Sequence, residues 1–171
     1  EFFRHTDFIA MAGYTMATAW MNFDRTRSQI SIKGRMFQFY QERFGTVPVV
    51  VNGNSPTPPP KYPVGGDQPS VNTGGDTYPL DVSAALTADG RTLAVAVINA
   101  TEAPHSFSLA LQGFRPKAAG RCWKFSGPGP DAKNPLGEPE QVGAREATFD
   151  ALAGSLTIAP ASVEIYHFER A

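Results

Sequence analysis

The chain has 171 residues, a length that fits one ordinary domain or one domain with an appendage. A net charge of −1 with 18% charged residues excludes the basic surface that nucleic acids and anionic membranes select, so we expect neither as a partner. The single cysteine, Cys122, excludes an internal disulfide and a thiolate metal cluster.

The sequence predicts a soluble protein. No apolar run approaches the roughly 20 residues that a membrane helix needs. Residues 1–5 lack a basic stretch followed by an apolar core, so no signal peptide is predicted there. Both the bacterial cytoplasm and secretion to the exterior stay open as locations.

The first 51 residues predict an incomplete α-β-α segment. Residues 2–12 carry a helical stripe that ends near Gly13. Residues 15–23 predict a strand whose two faces are apolar or small, a pattern typical of a parallel strand covered on both sides. A lone strand between two helices cannot bury both faces. We therefore interpret residues 1–51 as the last piece of a larger α/β array.

A second helix is predicted from Gly34 or Arg35 to Phe44, with aromatic side chains on one face. Between the strand and this helix, residues 30–33 predict a short strand or an extended loop. An aromatic face of this size is interpreted as core packing, so the helix needs a sheet or another helix beneath it.

Residues 78–171 predict an antiparallel β-sandwich, joined to the first segment by a Pro/Gly-rich linker at residues 52–77. The Asp89-Gly90 dipeptide favours a tight hairpin turn. Alternation of apolar and polar residues predicts strands at residues 80–87, 92–99, 107–111, 122–125, 147–149, 155–158 and 163–168.

Few residues show a pattern typical of catalysis or ligand binding. His5, His105 and His167 lie in three different predicted elements, so neither a metal nor a cofactor is predicted. Cys122 lies in a predicted strand and is interpreted as a small buried hydrophobe rather than a nucleophile. Asn99 opens an Asn-Ala-Thr glycosylation triplet, a short motif that also arises by chance.

Asp24 is the carboxylate with the most suggestive position. If residues 15–23 form a barrel strand, Asp24 follows its C-terminal end, where barrel active sites gather. Trp20 and Asn22 share that strand, and a tryptophan face can stack on a sugar ring. Trp20, Asn22 and Asp24 are therefore candidate residues of a substrate cleft. The alternative is that Asp24 begins a solvated loop and that Trp20 packs in a core.

Several motifs occur in an order that points to one family. They are residues 3–12 (FRHTDFIAMA), 37–45 (FQFYQERFG), 78–84 (YPLDVSA), 89–99, 131–134 (DAKN) with 138–142 (EPEQV), and 156–163. Together they resemble family 51 of the glycoside hydrolases, the α-L-arabinofuranosidases. The first two resemble the segments around the last strand and helix of the family's (β/α)8 barrel, and the others its C-terminal β-sandwich.

The resemblance implies a retaining hydrolase that releases α-L-arabinofuranosyl groups from hemicellulose in carbohydrate metabolism. Such enzymes use two glutamates about 5 Å apart, one as acid/base and one as nucleophile. In the family both lie upstream of the segment that this chain matches, and neither Glu1 nor Glu42 takes their place. No catalytic residue is therefore assigned, and we expect this chain alone to be inactive and structural.

Two alternatives stay open. The long Gly/Pro-rich loop and the Phe-rich helix also resemble a branch of the family with endo-acting cellulase activity, which makes an endo-β-1,4-glucanase the second candidate. The sandwich could also bind carbohydrate through an aromatic platform, with Trp123 and Tyr166 as candidates and Phe125 and Phe168 beside them.

The expected partners belong to the parent enzyme. They are a plant cell-wall polysaccharide or oligosaccharide and whatever covers the apolar patch of residues 1–50. That cover is the remainder of the barrel, self-association of the chain, or the helices folding back onto the sandwich. The family resemblance also implies a homo-oligomer.

Overall fold

The computed structural model describes residues 20–56, 61–63, 70–72 and 75–171. The helix predicted at residues 2–12 and most of the strand predicted at residues 15–23 lie outside the described residues. The elements of the described part are β1 (Met21–Phe23), β2 (Ser28–Ile30), α1 (Ile32–Arg43), β3 (Val47–Val49), β4 (Lys61–Pro63), β5 (Ser70–Asn72), β6 (Leu80–Leu86), β7 (Thr92–Asn99), β8 (His105–Phe107), β9 (Ala119–Ser126), β10 (Gly143–Asp150), β11 (Leu156–Ile158) and β12 (Ser162–Glu169).

A six-stranded sheet forms the centre of the fold, with the strand order β10-β9-β12-β7-β6-β3. Every neighbouring pair in it is antiparallel, so the prediction of a mainly β, antiparallel fold is confirmed. Strand β7 has the predicted bounds. The β6–β7 hairpin turns at Gly90, whose φ of 68° suits glycine and whose N–H donates to the Thr87 carbonyl at 2.8 Å.

One face of this sheet packs against loops and a small second sheet formed by β8 and β11. We call the apolar side chains on this face the inner cluster. Its buried members are Leu80, Val82, Ala84, Leu93, Val95, Val97, Phe114, Cys122, Ile158, Tyr166 and Phe168. The predicted strand at residues 107–111 is wrong beyond Phe107, because β11 offers only three residues for pairing. Leu109 and Leu111 still pack against the cluster from a loop.

The opposite face of the sheet carries α1. We call the side chains between them the helix-side cluster, whose buried members are Phe39, Ala94, Ala96, Trp123, Phe125, Val142 and Ile165. The ring centroids of Phe39 and Phe125 lie 5.5 Å apart. Helix α1 thus packs against the sheet through Phe39, and what covers the rest of the apolar patch of residues 1–50 stays a prediction.

Helix α1 begins two residues before the predicted start. Ser31 is its N-cap, and its Oγ accepts a hydrogen bond from the Gly34 N–H at 3.2 Å. At the other end, the His167 ring bonds to the carbonyl of Arg43, the last helical residue, and so ties the helix to β12. The helix is thus fixed to the sheet by a buried aromatic side chain and by a polar contact at its C-terminus.

Strand β3 is an element that the sequence analysis did not predict. It pairs with β6 and so extends the central sheet with residues from the first segment of the chain. Gly45 allows this, since a Cβ there would lie 2.5 Å from the carbonyl oxygen of Leu86. The division of the chain into segments that end at residues 51 and 77 stays a prediction. The central sheet contains strands from both sides of the predicted linker, since β3 precedes it and β6 follows it.

The predicted linker also contains regular structure. The backbones of β4 and β5 pair antiparallel, with Tyr62 opposite Val71. No helix among the described residues is long and apolar enough to cross a membrane.

We expect Phe39→Ala to lower the free energy of unfolding by about 3–5 kcal/mol, because it removes a buried ring and leaves a cavity between helix and sheet. Urea titration followed by circular dichroism measures this loss. Phe37→Ala is the matched control, because Phe37 lies on the same helix with its side chain 48% exposed. It should cost about 1 kcal/mol through its aromatic contact. Equal losses for the two variants would contradict this packing.

Candidate functional site at the end of strand β1

Asp24 organises the turn that joins β1 to β2. Its Oδ1 accepts hydrogen bonds from the backbone N–H groups of Thr26 and Arg27, both at 2.8 Å. Its Oδ2 accepts from the Arg27 guanidinium, with Nε at 3.0 Å and Nη2 at 2.8 Å. A short acidic side chain that bonds the backbone two and three residues on is a common way to close such a turn.

These bonds hold the pKa of Asp24 down to about 2. The main cause is the bond from the Thr26 amide, followed by the bond from the Arg27 side chain and the bond from the Arg27 amide. The carboxylate is therefore ionised at any physiological pH and cannot serve as a general acid. Its oxygens are engaged in the turn, which favours the solvated-loop interpretation of Asp24.

Trp20 and Asn22 lie on the same hairpin as Asp24. The ring of Trp20 is half-buried and packs against the ring of Phe37 on α1 in a tilted arrangement, with a centroid distance of 4.1 Å. The Asn22 Nδ2 group donates to the backbone carbonyl of Asn134 at 3.3 Å. The structure thus brings the three candidates together on one hairpin. Their role in a substrate cleft stays a prediction.

The partner of this hairpin is the loop at residues 131–142, which we call the docking loop. Asn134 is buried at its centre and holds it closed. The Asn134 Nδ2 group donates to the Val142 carbonyl at 2.8 Å, and its Oδ1 accepts from the Gln141 and Val142 amides at 2.9 Å each. Val142 belongs to the helix-side cluster, so the loop is anchored in the core.

Two further contacts join the docking loop to the first segment of the chain. The Gln29 Oε1 atom accepts a hydrogen bond from the Gly137 N–H at 3.1 Å. The Arg35 guanidinium forms an ion pair with Glu140, with Nη2 to Oε1 at 2.6 Å. Sequence reasoning missed Gln29 and Arg35, because their partners lie more than 100 residues away and no local pattern marks such a contact.

The aromatic platform predicted on the sandwich needs exposed rings, and its candidates are buried. Trp123 is 5% exposed and lies beneath the guanidinium groups of Arg43 and Arg121. Tyr166 is 3% exposed and its hydroxyl donates to Glu164. Alternation in a strand that is covered on both faces places both rings in core clusters, so these residues do not form a platform.

Cys122 is buried, as predicted, beside the carboxylate of Glu164. Burial, and secondarily the negative charge of Glu164, raise the pKa of the thiol to about 12, so it is not a nucleophile. Glu164 is itself buried and forms an ion pair with Lys124, at 3.4 Å between Nζ and Oε1. Lys124 and the Tyr166 hydroxyl compensate this charge, so the pair explains how a buried glutamate is tolerated.

The other polar candidates have structural roles. The Nε2 atom of His105 lies 2.9 Å from the Thr101 Oγ1 atom, and burial lowers the pKa of His167. The side-chain amide of Asn99 is buried and donates to two backbone carbonyls, which makes it inaccessible to glycosylation. In the part of the chain that the structure describes, no cluster of three His, Cys, Asp or Glu residues could hold a metal ion.

Comparison with known proteins gives similarity in structure but not in sequence. No family model matches the chain, and no curated protein sequence matches it. The crystal structure of an arabinofuranosidase aligns with 88% of this chain and 31% of its own, at 18% identity and a TM-score of 0.69. The α-L-arabinofuranosidase from Thermotoga maritima, in complex with arabinose, aligns with 87% and 31%, at 17% identity and a TM-score of 0.66.

A third solved structure agrees with these two. The GH51 arabinofuranosidase from Xanthomonas axonopodis pv. citri aligns over 88% of this chain and 28% of its own, at 16% identity and a TM-score of 0.56. The chain has the fold of the corresponding part of these enzymes. The resemblance noted in the sequence is therefore confirmed at the level of the fold, and the chain spans about 30% of the length of the enzymes it matches.

Removing the Arg27 side chain should raise the pKa of Asp24 towards the ordinary value of about 3.9, since the hydrogen bond from this side chain is the second-largest cause of the lowered pKa. A carbon-13 NMR titration of the Asp24 carboxyl in Arg27→Ala measures this shift. Arg25→Ala, in the same turn, is the matched control and should leave the midpoint near 2. An unchanged midpoint in Arg27→Ala would contradict the arrangement.

The sign of the pH effect follows from the lowered pKa. The folded state holds the Asp24 proton less tightly than the unfolded chain does. The Asp24 contribution to stability is therefore complete above about pH 4 and disappears as the pH falls towards 2.

Proposed function

We propose that this chain is the C-terminal portion of a retaining glycoside hydrolase of family 51, which releases α-L-arabinofuranosyl groups from hemicellulose. In this proposal the chain does not cleave glycosides itself. It braces the last strand–helix unit of a barrel against a β-sandwich. The observation that carries the proposal is that α1 and the β1–β2 hairpin are fixed to the sheet and the docking loop, within a fold shared with arabinofuranosidases.

The apolar surface of the first segment supports the bracing role. Phe39 is buried against the sheet, whereas Phe37, Met21 and Phe23 are exposed by 48, 44 and 61%. Large exposed apolar side chains grouped on neighbouring elements are typical of a surface that another part of a protein covers. We assign that cover to the remainder of the barrel.

The state of two described carboxylates, one beside the candidate cleft and one in the core, supports inactivity of the chain alone. Retaining hydrolysis needs two carboxyl groups about 5 Å apart, one of them free to attack the sugar. Asp24 is engaged by Arg27 and two backbone amides, and Glu164 is buried against Lys124 and Tyr166. Neither group is available as a nucleophile.

The pure 171-residue chain should therefore release no aryl alcohol from an aryl α-L-arabinofuranoside above the rate in buffer. A colorimetric assay measures this, with an arabinofuranosidase at equal molar concentration as the positive control. Clear turnover that follows the chain through purification would overturn the proposal that the chain alone is inactive.

Pull-down on insoluble arabinoxylan tests the binding alternative, and retention of the chain would favour it.

The bracing role makes a separate prediction for a hydrolase that contains this chain. Deleting residues 78–171 should remove the surface that covers Phe39 and should lead to aggregation or loss of the native oligomer. Size-exclusion chromatography with light scattering measures this. A deletion variant that keeps its assembly and monodispersity would contradict it.

Comparing hydrolysis of arabinoxylan with that of carboxymethyl cellulose by the intact parent enzyme separates an arabinofuranosidase from the endo-β-1,4-glucanase alternative.

A further inference from the structure

We propose that the docking loop positions the turn between β1 and β2, with Asn134 and Gln29 as the positioning residues. A role of this turn in a substrate cleft rests on the proposed function. If β1 is the last strand of a barrel, the turn at Asp24 lies on the face where barrel active sites gather. The sandwich would then fix the shape of one wall of the substrate cleft from outside the barrel.

The docking loop is rigid enough to serve as such a reference. Asn134 is 4% exposed, and its side chain makes three hydrogen bonds to the backbone of Gln141 and Val142. Buried amide groups that satisfy the backbone in this way resist rearrangement, because breaking them leaves buried polar atoms unpaired. The docking loop is therefore fixed to the core.

The contact with the hairpin has three points. The backbone carbonyl of Asn134 accepts from Asn22 on β1, and the Gly137 amide donates to Gln29 on β2. At the third point, the Arg27 guanidinium occupies the space beside Gly137, where a Cβ would lie 2.4 Å from Nη1. Gly137 has a φ of 81°, so both its conformation and its bare Cα suit this approach.

Arg27 carries the contact on to Asp24. The same guanidinium that packs beside Gly137 makes two charge-assisted bonds to the Asp24 carboxylate. Asp24 in turn fixes the amides of Thr26 and Arg27. A continuous set of contacts thus runs from the core, through Asn134 and Gly137, to Asp24, Thr26 and Arg27 in the turn.

NMR on the intact 171-residue chain tests this coupling without any substrate. Gln29→Ala removes the acceptor for Gly137, whereas Gln29→Glu keeps one. We expect the amides of Thr26 and Arg27 to exchange about fivefold faster in Gln29→Ala, the factor expected for the loss of one net hydrogen bond. The titration midpoint of the Asp24 carboxyl should also rise in Gln29→Ala, and the faster exchange should be absent in Gln29→Glu.

Asn134→Ala provides the second arm, and Lys133→Ala, at an exposed neighbouring position, provides its control. Asn134→Ala should increase exchange at Gln141 and Val142 and also at Thr26 and Arg27. If exchange increases only at Gln141 and Val142, or if Gln29→Ala leaves the turn unchanged, the positioning role is overturned. These readouts need no turnover, so they fail or succeed independently of the proposed hydrolase activity.

Discussion

The central sheet buries apolar side chains on both faces, and the rest of the structure depends on this. In β7 the side chains alternate between Leu93, Val95 and Val97 towards the inner cluster and Ala94 and Ala96 towards the helix. The alanines leave room for α1 to approach, and Phe39 fills the space above them. A sheet of this kind needs a covering layer on each side. The helix from the first segment is therefore part of the same packing unit as the sandwich strands.

The polar contacts of the docking loop have a different physical role from this packing. Apolar burial is non-directional and fixes α1 on the sheet without specifying the β1–β2 hairpin. The hydrogen bonds of Asn22 and Gln29 and the ion pair of Arg35 with Glu140 are directional. They orient the hairpin relative to the loop. Packing thus supplies most of the stability, and the polar contacts select the orientation.

The sequence predicted the elements whose signals are local. The alternation in residues 92–99 and the Asp89-Gly90 dipeptide were sufficient to place the β6–β7 hairpin, and the aromatic stripe was sufficient to place α1. Helix α1 begins before the predicted start because its N-cap, Ser31, lies ahead of the aromatic stripe. Strand β3 was missed because it has three residues with a proline at its centre, a composition that argues against a strand.

Candidate sites were harder to predict than strands, for a physical reason. Residue type and position suggested Asp24, but its bonds to Thr26 and Arg27 show that it closes a turn. Trp123 and Tyr166 alternate as surface residues would, yet both faces of their strands are covered. The roles of Gln29 and Gly137 depend on a contact between segments 108 residues apart. Such a contact is set by the tertiary fold and has no signature in either segment alone.

Exposed apolar residues are distributed unevenly between the two sides of the segment formed by β1, β2 and α1. Towards the sheet, helix α1 is covered and fixed, because Phe39 is buried and the end of α1 is bonded to β12. On the hairpin, Met21 and Phe23 are exposed beside Asn22 and Gln29, whose side chains each form a hydrogen bond to the docking loop. On this hairpin the polar side chains are hydrogen-bonded, whereas the apolar side chains beside them are exposed. Such a surface is typical of a unit that packs on one side and binds another part of a protein on the other. That asymmetry, in a chain spanning about 30% of the arabinofuranosidases it matches, is the physical basis for the proposal that the sandwich acts as a brace.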